Sequence, residues 1–528
     1  MTAYSIRKTL APLSRKIILA LTREKVLDAK KLQVIRNRIT KETKGTLPKN
    51  IELIEAYIKL AENGKIKPNP NLLRLIQKRK VRTLSGIANI TVLTKDWGCP
   101  GECIFCPTEK GMPKSYLSSE PAMMRAVMNQ FDAYKQVKAR LNGLTAQGHD
   151  VSKIDIRIAG GTWSSIPFKY QTEFIKGIYR ALNEGPGPAR AARSTQHAAL
   201  DALIKKNETA KWRCVGLWIE TRPDWVTPDE IKRWREFGIT GVELGVQTTD
   251  DKVNAYCKRG HGLKESIAAT KLCRDAGLKV CHHLMPNLPK ANIKSDLKSG
   301  RELFELEGLR PDYLKIYPCV VTPMSKLGKM VTENPKAHKP YSDKQLIKLI
   351  AAIKQFVPEY CRIIRIIRDI PADEIMLGCK KSNLRQEMQK LGVVCRCIRC
   401  REIQENVIGK SCLVVRQYNA NEGKEYFLSI EEPNLDKIIA LCRLRLYKGG
   451  AIIRELHVYG RTQSLSEKPS IRSKSQHHGF GKQLMAEAEK IAKKAGYKKI
   501  DVNAAVGTRE YYKKLGYRLE GTYMVNTL

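Results

Sequence analysis

Short apolar runs alternate with longer stretches of helical spacing through the middle of the chain. From about residue 88 to 320 the pattern predicts six strands, at 88–93, 154–159, 213–220, 241–246, 280–285 and 313–317. Between them apolar residues recur every three or four positions. Such alternation predicts parallel βαβ units, and six make a partial (β/α)6 barrel, an α/β fold whose chemistry sits at the C-terminal ends of its strands. Upstream, pieces such as 51–58 have helical periodicity and stop at Asn63-Gly64, predicting a small helical module over 1–83. Beyond residue 410 the strands crowd together, at 413–417, 426–430, 438–446 and 452–459, as in an antiparallel meander. A Ser- and Lys-rich stretch, 462–475, then precedes a helix. The expected division is therefore 1–83, 84–360, a cysteine-bearing linker at 361–410, and a mixed α/β domain at 411–528.

Charge adds a partner to this picture. Lys and Arg number 95 against 53 Asp and Glu, a net charge of +42 in a chain of otherwise ordinary 42% hydrophobic content. Such an excess points to a polyanion, with nucleic acid ahead of simple solubility or a membrane surface. Residues 1–83 carry 21 Lys and Arg against 6 Asp and Glu, and the run Lys78-Arg79-Lys80-Val81-Arg82 ends just before the first barrel strand. RNA phosphates bound there would lie beside whatever follows that strand. The chain shows no apolar run of membrane-spanning length and no signal-peptide pattern, so it reads as cytoplasmic. The odd total of 15 Cys fits reduced thiols rather than a disulfide framework.

Two cysteine clusters carry candidate chemistry. Cys99, Cys103 and Cys106 stand in C-x3-C-x2-C spacing in the loop after the first strand. Three thiolates can hold three irons of a [4Fe-4S] cluster and leave the fourth open to the amino and carboxylate groups of S-adenosylmethionine. A zinc loop is the alternative, but no His or fourth Cys lies near. Other unusual residues recur at the same ends of successive strands: Gly160-Gly161-Thr162, Glu220 with Arg222, Glu243 with Gln247, His282-His283, and Lys315. Gly160, Gly161, Thr162, Glu220, Arg222, Glu243 and Gln247 are candidates to bind the cofactor, and Lys315 is a catalytic candidate. Adjacent residues of a strand face opposite ways, so at most one of the two histidines points inward. In the linker, Cys379, Cys395, Cys397 and Cys400 supply four soft ligands for a structural zinc, with a second iron-sulfur cluster as the alternative.

Near the C-terminus, Gln476-His477-His478-Gly479-Phe480-Gly481-Lys482 is a Q-x-x-G-x-G turn opening a helix, suited to a pyrophosphate. The later Gly507-Thr508-Arg509-Glu510-Tyr511-Tyr512, which with that turn resembles the acetyl-CoA signature of the GNAT acyltransferases, implies Tyr512 as the candidate hydrogen-bond donor to a thioester or its sulfur. The cysteine loop resembles that of the radical SAM superfamily. Taken with Glu220-Thr221-Arg222-Pro223-Asp224, Arg259-Gly260-His261, Met285-Pro286-Asn287 and Glu455-Leu456-His457-Val458, the chain resembles the Elongator catalytic-subunit family in its free-standing form. That resemblance implies a tRNA carboxymethyluridine synthase acting at C5 of the wobble uridine in the anticodon region. It implies S-adenosylmethionine and acetyl-CoA as co-substrates and an electron donor for the cluster. It further implies that Lys153, Glu455, Leu456, His457, Val458, Phe480, Gly481, Lys482 and Tyr512 contact acetyl-CoA, with Lys153 and Tyr512 catalytic candidates. Asn287 stands where Asp is common in the family. A protein lysine acetyltransferase with a structural cluster is the rival reading. A homodimer is left open, and 462–475 is expected to act as a lid over the acetyl-CoA site.

Overall fold

In the computed structural model, residues 3–24, 26–77, 83, 85–188, 199–404, 409–460 and 479–528 are described, with side chains from residue 12 onward. The basic run 78–82, the expected lid 462–475 and Gln476 lie outside the described residues. Four helices come first: α1 (Ala3–Thr22), α2 (Ala29–Glu42), α3 (Asn50–Glu62) and α4 (Pro70–Ile76). Asp28 caps α2 by accepting from the Lys31 N–H, and Asn69 caps α4, where Pro70 opens the first turn. Leu13, Ile17, Ile35, Leu53, Tyr57 and Leu72 give this bundle its own core. It is tied to the barrel by Gln77, whose amide donates to the carbonyl of Gly148.

Seven strands follow, all parallel and paired in chain order: β1 (Ala88–Leu93), β2 (Lys153–Ala159), β3 (Arg213–Thr221), β4 (Gly241–Gln247), β5 (Lys279–Leu284), β6 (Tyr313–Ile316) and β7 (Arg362–Ile366). The six expected strands are present within a residue or two. β7 adds a seventh from the segment read as linker, where Arg362 and Arg365 interrupt a short Ile-rich run. On β2, Ile154, Ile156 and Ile158 bury outward under the helices, while Asp155 and Arg157 face the lumen. The sheet is an open half-barrel with a charged interior.

The second sheet is built from β8 (Cys412–Ala420), β9 (Gly423–Glu432), β10 (Lys437–Tyr447), β11 (Gly450–Val458), β12 (Lys499–Val502), β13 (Arg518–Glu520) and β14 (Tyr523–Thr527), in the order β13-β14-β12-β11-β10-β9-β8. The expected meander is β8 to β11. Strands β11 and β12 run parallel but pair only at Ile452–Asp501 and Ile453–Val502, then part. The helix Phe480–Lys494 packs on β9, β10 and β11.

This sheet docks against the N-terminal ends of the barrel strands, the barrel floor. Asn503 donates to the carbonyls of Gly277 and Thr240 at 2.6 and 3.4 Å, and His457 Nε2 stands 3.0 Å from the carbonyl of Ser85. A bulge in the β10–β11 ladder sets Arg443 opposite Glu455 and Leu444 opposite Ile453. Neighbours in a regular strand face opposite ways, but the bulge turns both Arg454 and Glu455 toward the floor. Arg454 grips Asp312 through two hydrogen bonds of 2.6 and 2.7 Å, and Glu455 accepts from Tyr313. All four side chains are buried.

Candidate active sites at the two ends of the barrel

At the barrel mouth the loop after β1 brings Cys99, Cys103 and Cys106 together beneath β2 to β4. Thr162 Oγ1 lies 3.5 Å from Cys99 Sγ, and Arg259 Nη1 donates to Cys103 Sγ at 3.1 Å. Its hydrogen bond with Cys106 and the guanidinium of Arg259 bring the Cys103 thiol down to about 4, against the opposing effect of burial. Arg222 chelates Asp224 with Nε and Nη2, while its Nη1 is buried without a partner among the described residues and lies against Gly101 of the loop. A spare buried cation donor there fits an anionic cluster.

The predicted cofactor residues gather beside it. Gly160 and Gly161 take φ of 131° and 95°, and a Cβ on Gly160 would collide with Thr94 Oγ1. With Thr94, Glu220 and Trp163 they line a small recess. Thr94 Oγ1 and Gln247 Oε1 are buried without partners among the described residues, and Gln247 holds the left-handed φ of 69°. These polar atoms and the close backbone approach suit an amino-acid end of S-adenosylmethionine. Glu220 accepts from Tyr116 Oη at 2.6 Å. An open depression adjoins Phe105 and Pro107 on the β5–β7 side, with Tyr317, Met285 and Ile367 among its walls.

Lys315 and Glu243 lie deeper, in the lumen between the two ends. Glu243 takes the ammonium of Lys315, the guanidinium of Arg157 and His283 Nε2, the last at 3.0 Å. Burial pushes the Glu243 carboxyl up, but Lys315 and His283 prevail and hold it well below the usual carboxylate range. His282 points outward to Thr270 Oγ1 at 2.9 Å, so the two histidines divide between faces as expected. Asn287 has φ of 69°, and its side chain donates to the carbonyl of Cys319 at 3.3 Å, a bond an aspartate could not make. Arg157 was not singled out from sequence, although Lys-Ile-Asp-Ile-Arg-Ile at 153–158 is an alternation that signals a charged lumen.

At the floor, Glu455 joins Tyr313 and Arg443, and Lys279 sits close enough to help keep its carboxyl below the ordinary range against burial. Tyr512 is 5% exposed beside Tyr511, and burial pushes its phenol well up, so it remains a protonated donor. Gly479 at φ 78° starts the helix Phe480–Lys494, and a Cβ on Gly481 would meet Tyr511 Oη at 2.6 Å. Leu456, His457 and Val458 follow the point where β11 and β12 part, Gly481 at the start of the helix lies against Val458, and Lys482 is exposed in that first turn, so the helix N-terminus stands beside the parting strands. Lys153 begins β2 on the same floor, opposite Arg213 in register, and burial with Arg213 nearby lowers its pKa.

The linker thiols divide. The sulfurs of Cys395, Cys397 and Cys400 all lie within 4.8 Å of one another, with Cys397 and Cys400 3.7 Å apart. Two thiolates on one tetrahedral zinc stand about 3.8 Å apart at Zn–S of about 2.3 Å, so these three fit a single ion. Cys379 does not join them. Its thiol neighbours Asp343 and Lys381 at the start of the helix Asp343–Gln355 and lines the mouth depression, whereas Cys400 is near Lys354 at the other end. That helix separates its ends by about 16 Å at 1.5 Å per residue.

The same arrangement occurs in known proteins. The Radical SAM superfamily model matches residues 187–298, the Radical_SAM C-terminal domain model 311–391, and the Acetyltransferase (GNAT) domain model 466–526. The chain is 39% identical over 530 residues to tRNA uridine(34) acetyltransferase of Methanocaldococcus jannaschii, covering 95% of this chain and 94% of that protein. It is 35% identical to Elongator complex protein 3 of Homo sapiens over 545 residues, covering 94% and 96%. The solved archaeal Methanocaldococcus infernus Elp3 with an N-terminal deletion (1–46) superposes with a TM-score of 0.72 at 38% identity, over 84% of this chain and 100% of that one. With such identity over nearly the whole of both chains, this protein belongs to the family of the tRNA uridine(34) acetyltransferases and Elongator complex protein 3, in which a radical SAM half-barrel carries a GNAT acetyltransferase domain.

Proposed function

We propose that the chain is a tRNA carboxymethyluridine synthase that builds a carboxymethyl group on C5 of uridine 34 from acetyl-CoA, by S-adenosylmethionine radical chemistry. The observation that carries this reading is the docking of the acyl domain under the floor of the same half-barrel whose mouth holds the cysteine loop. A transferase of acetyl to protein lysines has no use for that junction. Cys99, Cys103 and Cys106 would hold a [4Fe-4S] cluster, which would supply the one electron that cleaves S-adenosylmethionine, so that its 5'-deoxyadenosyl group could take hydrogen from the acetyl methyl.

The chain's own residues do the rest. Gly160, Gly161, Thr162, Glu220 and Gln247 hold the S-adenosylmethionine, and the N–H groups of Phe480, Gly481 and Lys482 hold the CoA pyrophosphate. Tyr512, with Lys153 on the same floor, orients the thioester. The lumen pair Lys315–Glu243, with Arg157 and His283, lines the interior and keeps bulk water from it. Addition of the acetyl carbon to C5 would displace the ring hydrogen as a proton, the one electron given up returning to the oxidised cluster that had supplied it, and thioester hydrolysis leaves the carboxylate. The uracil enters from the open depression at the mouth beside Phe105, and the basic helical module holds the RNA backbone.

A zinc ion on Cys395, Cys397 and Cys400 completes the reading. Around it the Ile398 N–H bonds the carbonyl of Cys361 next to β7, while Lys437 of β10 donates to the carbonyl of Cys400 at 2.9 Å. The ion therefore staples barrel to acyl domain. The test is an anaerobic assay with reductant, S-adenosylmethionine, acetyl-CoA and transcribed tRNA, followed by nucleoside mass spectrometry. Carboxymethyluridine supports the proposal; unmodified uridine beside acetylated protein lysines would replace it with the rival.

A further inference from the structure

We propose that Arg259 sets the reduction potential of the cluster held by the cysteine loop, through the hydrogen bond of its guanidinium to Cys103 Sγ, and that His261 and Asp224 are the positioning residues that hold Arg259 there. The proposal rests on the cysteine loop carrying a [4Fe-4S] cluster. It goes beyond that reading in naming what controls the cluster's electron affinity.

Arg259 is 4% exposed and is held from both sides. Nη1 reaches Cys103 Sγ at 3.1 Å, Nη2 donates to the carbonyl of Gly245 at 2.5 Å, and Nη2 also stands 3.2 Å from His261 Nε2. His261 Nδ1 lies 3.0 Å from Asp224 Oδ1. That contact is one of proximity, since Nδ1 has no hydrogen-bond partner among the described residues, and Nε2 also stands 3.3 Å from the carbonyl of Gly245, so the buried ring packs against both Arg259 Nη2 and its acceptor. Asp224 in turn takes Nε and Nη2 of Arg222 at 3.0 and 2.7 Å, so it is fixed on its far side too. The link between the two is Gly260, whose φ of 73° turns the chain so that Arg259 and His261 both face the loop. A Cβ there would press to 3.1 Å from Arg222 Nη2.

The chemistry follows from charge. One-electron reduction of the cluster adds negative charge to its thiolate ligands. A guanidinium that donates to one of those sulfurs in a buried, weakly screened site stabilises the reduced form more than the oxidised form, which raises the potential. The electron comes from a low-potential one-electron donor. A rigid Arg is needed because a donor that swings away loses both the hydrogen bond and the proximity of its charge. The chain Asp224–His261–Arg259–Cys103 supplies that rigidity.

The experiment is a potentiometric titration of the anaerobically reconstituted full chain, followed by EPR of the reduced cluster, with iron and sulfide measured on each sample. Arg259→Gln is expected to move the midpoint to more negative potential by about 59 mV, a tenfold change in the one-electron equilibrium. Arg259→Lys should recover part of the shift, and His261→Gln and Asp224→Asn should move it the same way by less. A wild-type midpoint in a fully loaded Arg259→Gln protein overturns the proposal. If that variant loads poorly, wild-type midpoints in both His261→Gln and Asp224→Asn overturn it instead. Absence of iron from the reconstituted wild type would refute the cluster reading itself, a distinct result.

Discussion

Tyr313 of the barrel and Glu455 of the acyl sheet share a hydrogen bond beneath the barrel floor, with the phenol donating to the carboxylate. Glu455 also takes Arg443 at 2.7 Å, and next to it Arg454 is clamped on Asp312. The two domains therefore meet through buried, mutually neutralising charges set within an apolar core that runs through both of them. Removing one partner leaves the other buried and unpaired, at a cost of about 3–5 kcal/mol. Asp312→Ala should make the domains melt separately, and calorimetry should resolve two transitions where the wild type shows tighter coupling. A single unchanged transition would mean the ionic floor contributes little.

The two cysteine sites separate in metal analysis. Reconstituted protein should hold about four irons and one zinc per chain. Cys103→Ser should lose iron and 5'-deoxyadenosine formation while keeping zinc, and Cys397→Ser should lose zinc alone. Cys379→Ser should keep both metals, because its thiol sits at the far end of the helix Asp343–Gln355. Loss of zinc in that variant would place Cys379 back among the ligands.

Tyr512→Phe keeps the ring in its buried place and removes only the hydroxyl. Acetyl-CoA turnover should fall by about 10²-fold, the scale of a lost positioned proton donor, while tRNA affinity measured by filter binding stays within error. An equal fall in tRNA affinity would indicate a structural role.

His282 links stability to pH. Full burial, with Arg274 nearby, lowers its pKa from 6.5 to about 3. The unfolded chain therefore binds a proton that the folded chain refuses, and stability falls as pH drops through this window, by roughly 1.4 kcal/mol per unit between about 6 and 3. Above 6.5 this contribution is constant. Urea denaturation across that range should show the slope, and His282→Gln, which can still meet Thr270, should flatten it.

Much of this was legible because strand periodicity and ligand spacing are local. The six strand segments follow from alternation, and the two histidines divide as adjacent strand residues must. What sequence could not carry is three-dimensional pairing across long separations. Lys315 and Glu243 stood out as independent site residues, yet they neutralise each other in the lumen. Arg443 and Arg454 gave no sign of their role, since it depends on a bulge that re-aims one residue. Cys379 matched a ligand count, but only the helix between it and Cys400 shows the distance.

The central claim is that hydrogen leaves the acetyl methyl of acetyl-CoA for the 5'-deoxyadenosyl group of S-adenosylmethionine. The direct measurement is anaerobic turnover with acetyl-CoA deuterated in the methyl group, with mass spectrometry of the 5'-deoxyadenosine formed. Deuterium in 5'-deoxyadenosine, dependent on tRNA and lost in Cys103→Ser, is the expected result. 5'-Deoxyadenosine formed without deuterium, beside modified tRNA, would contradict the account.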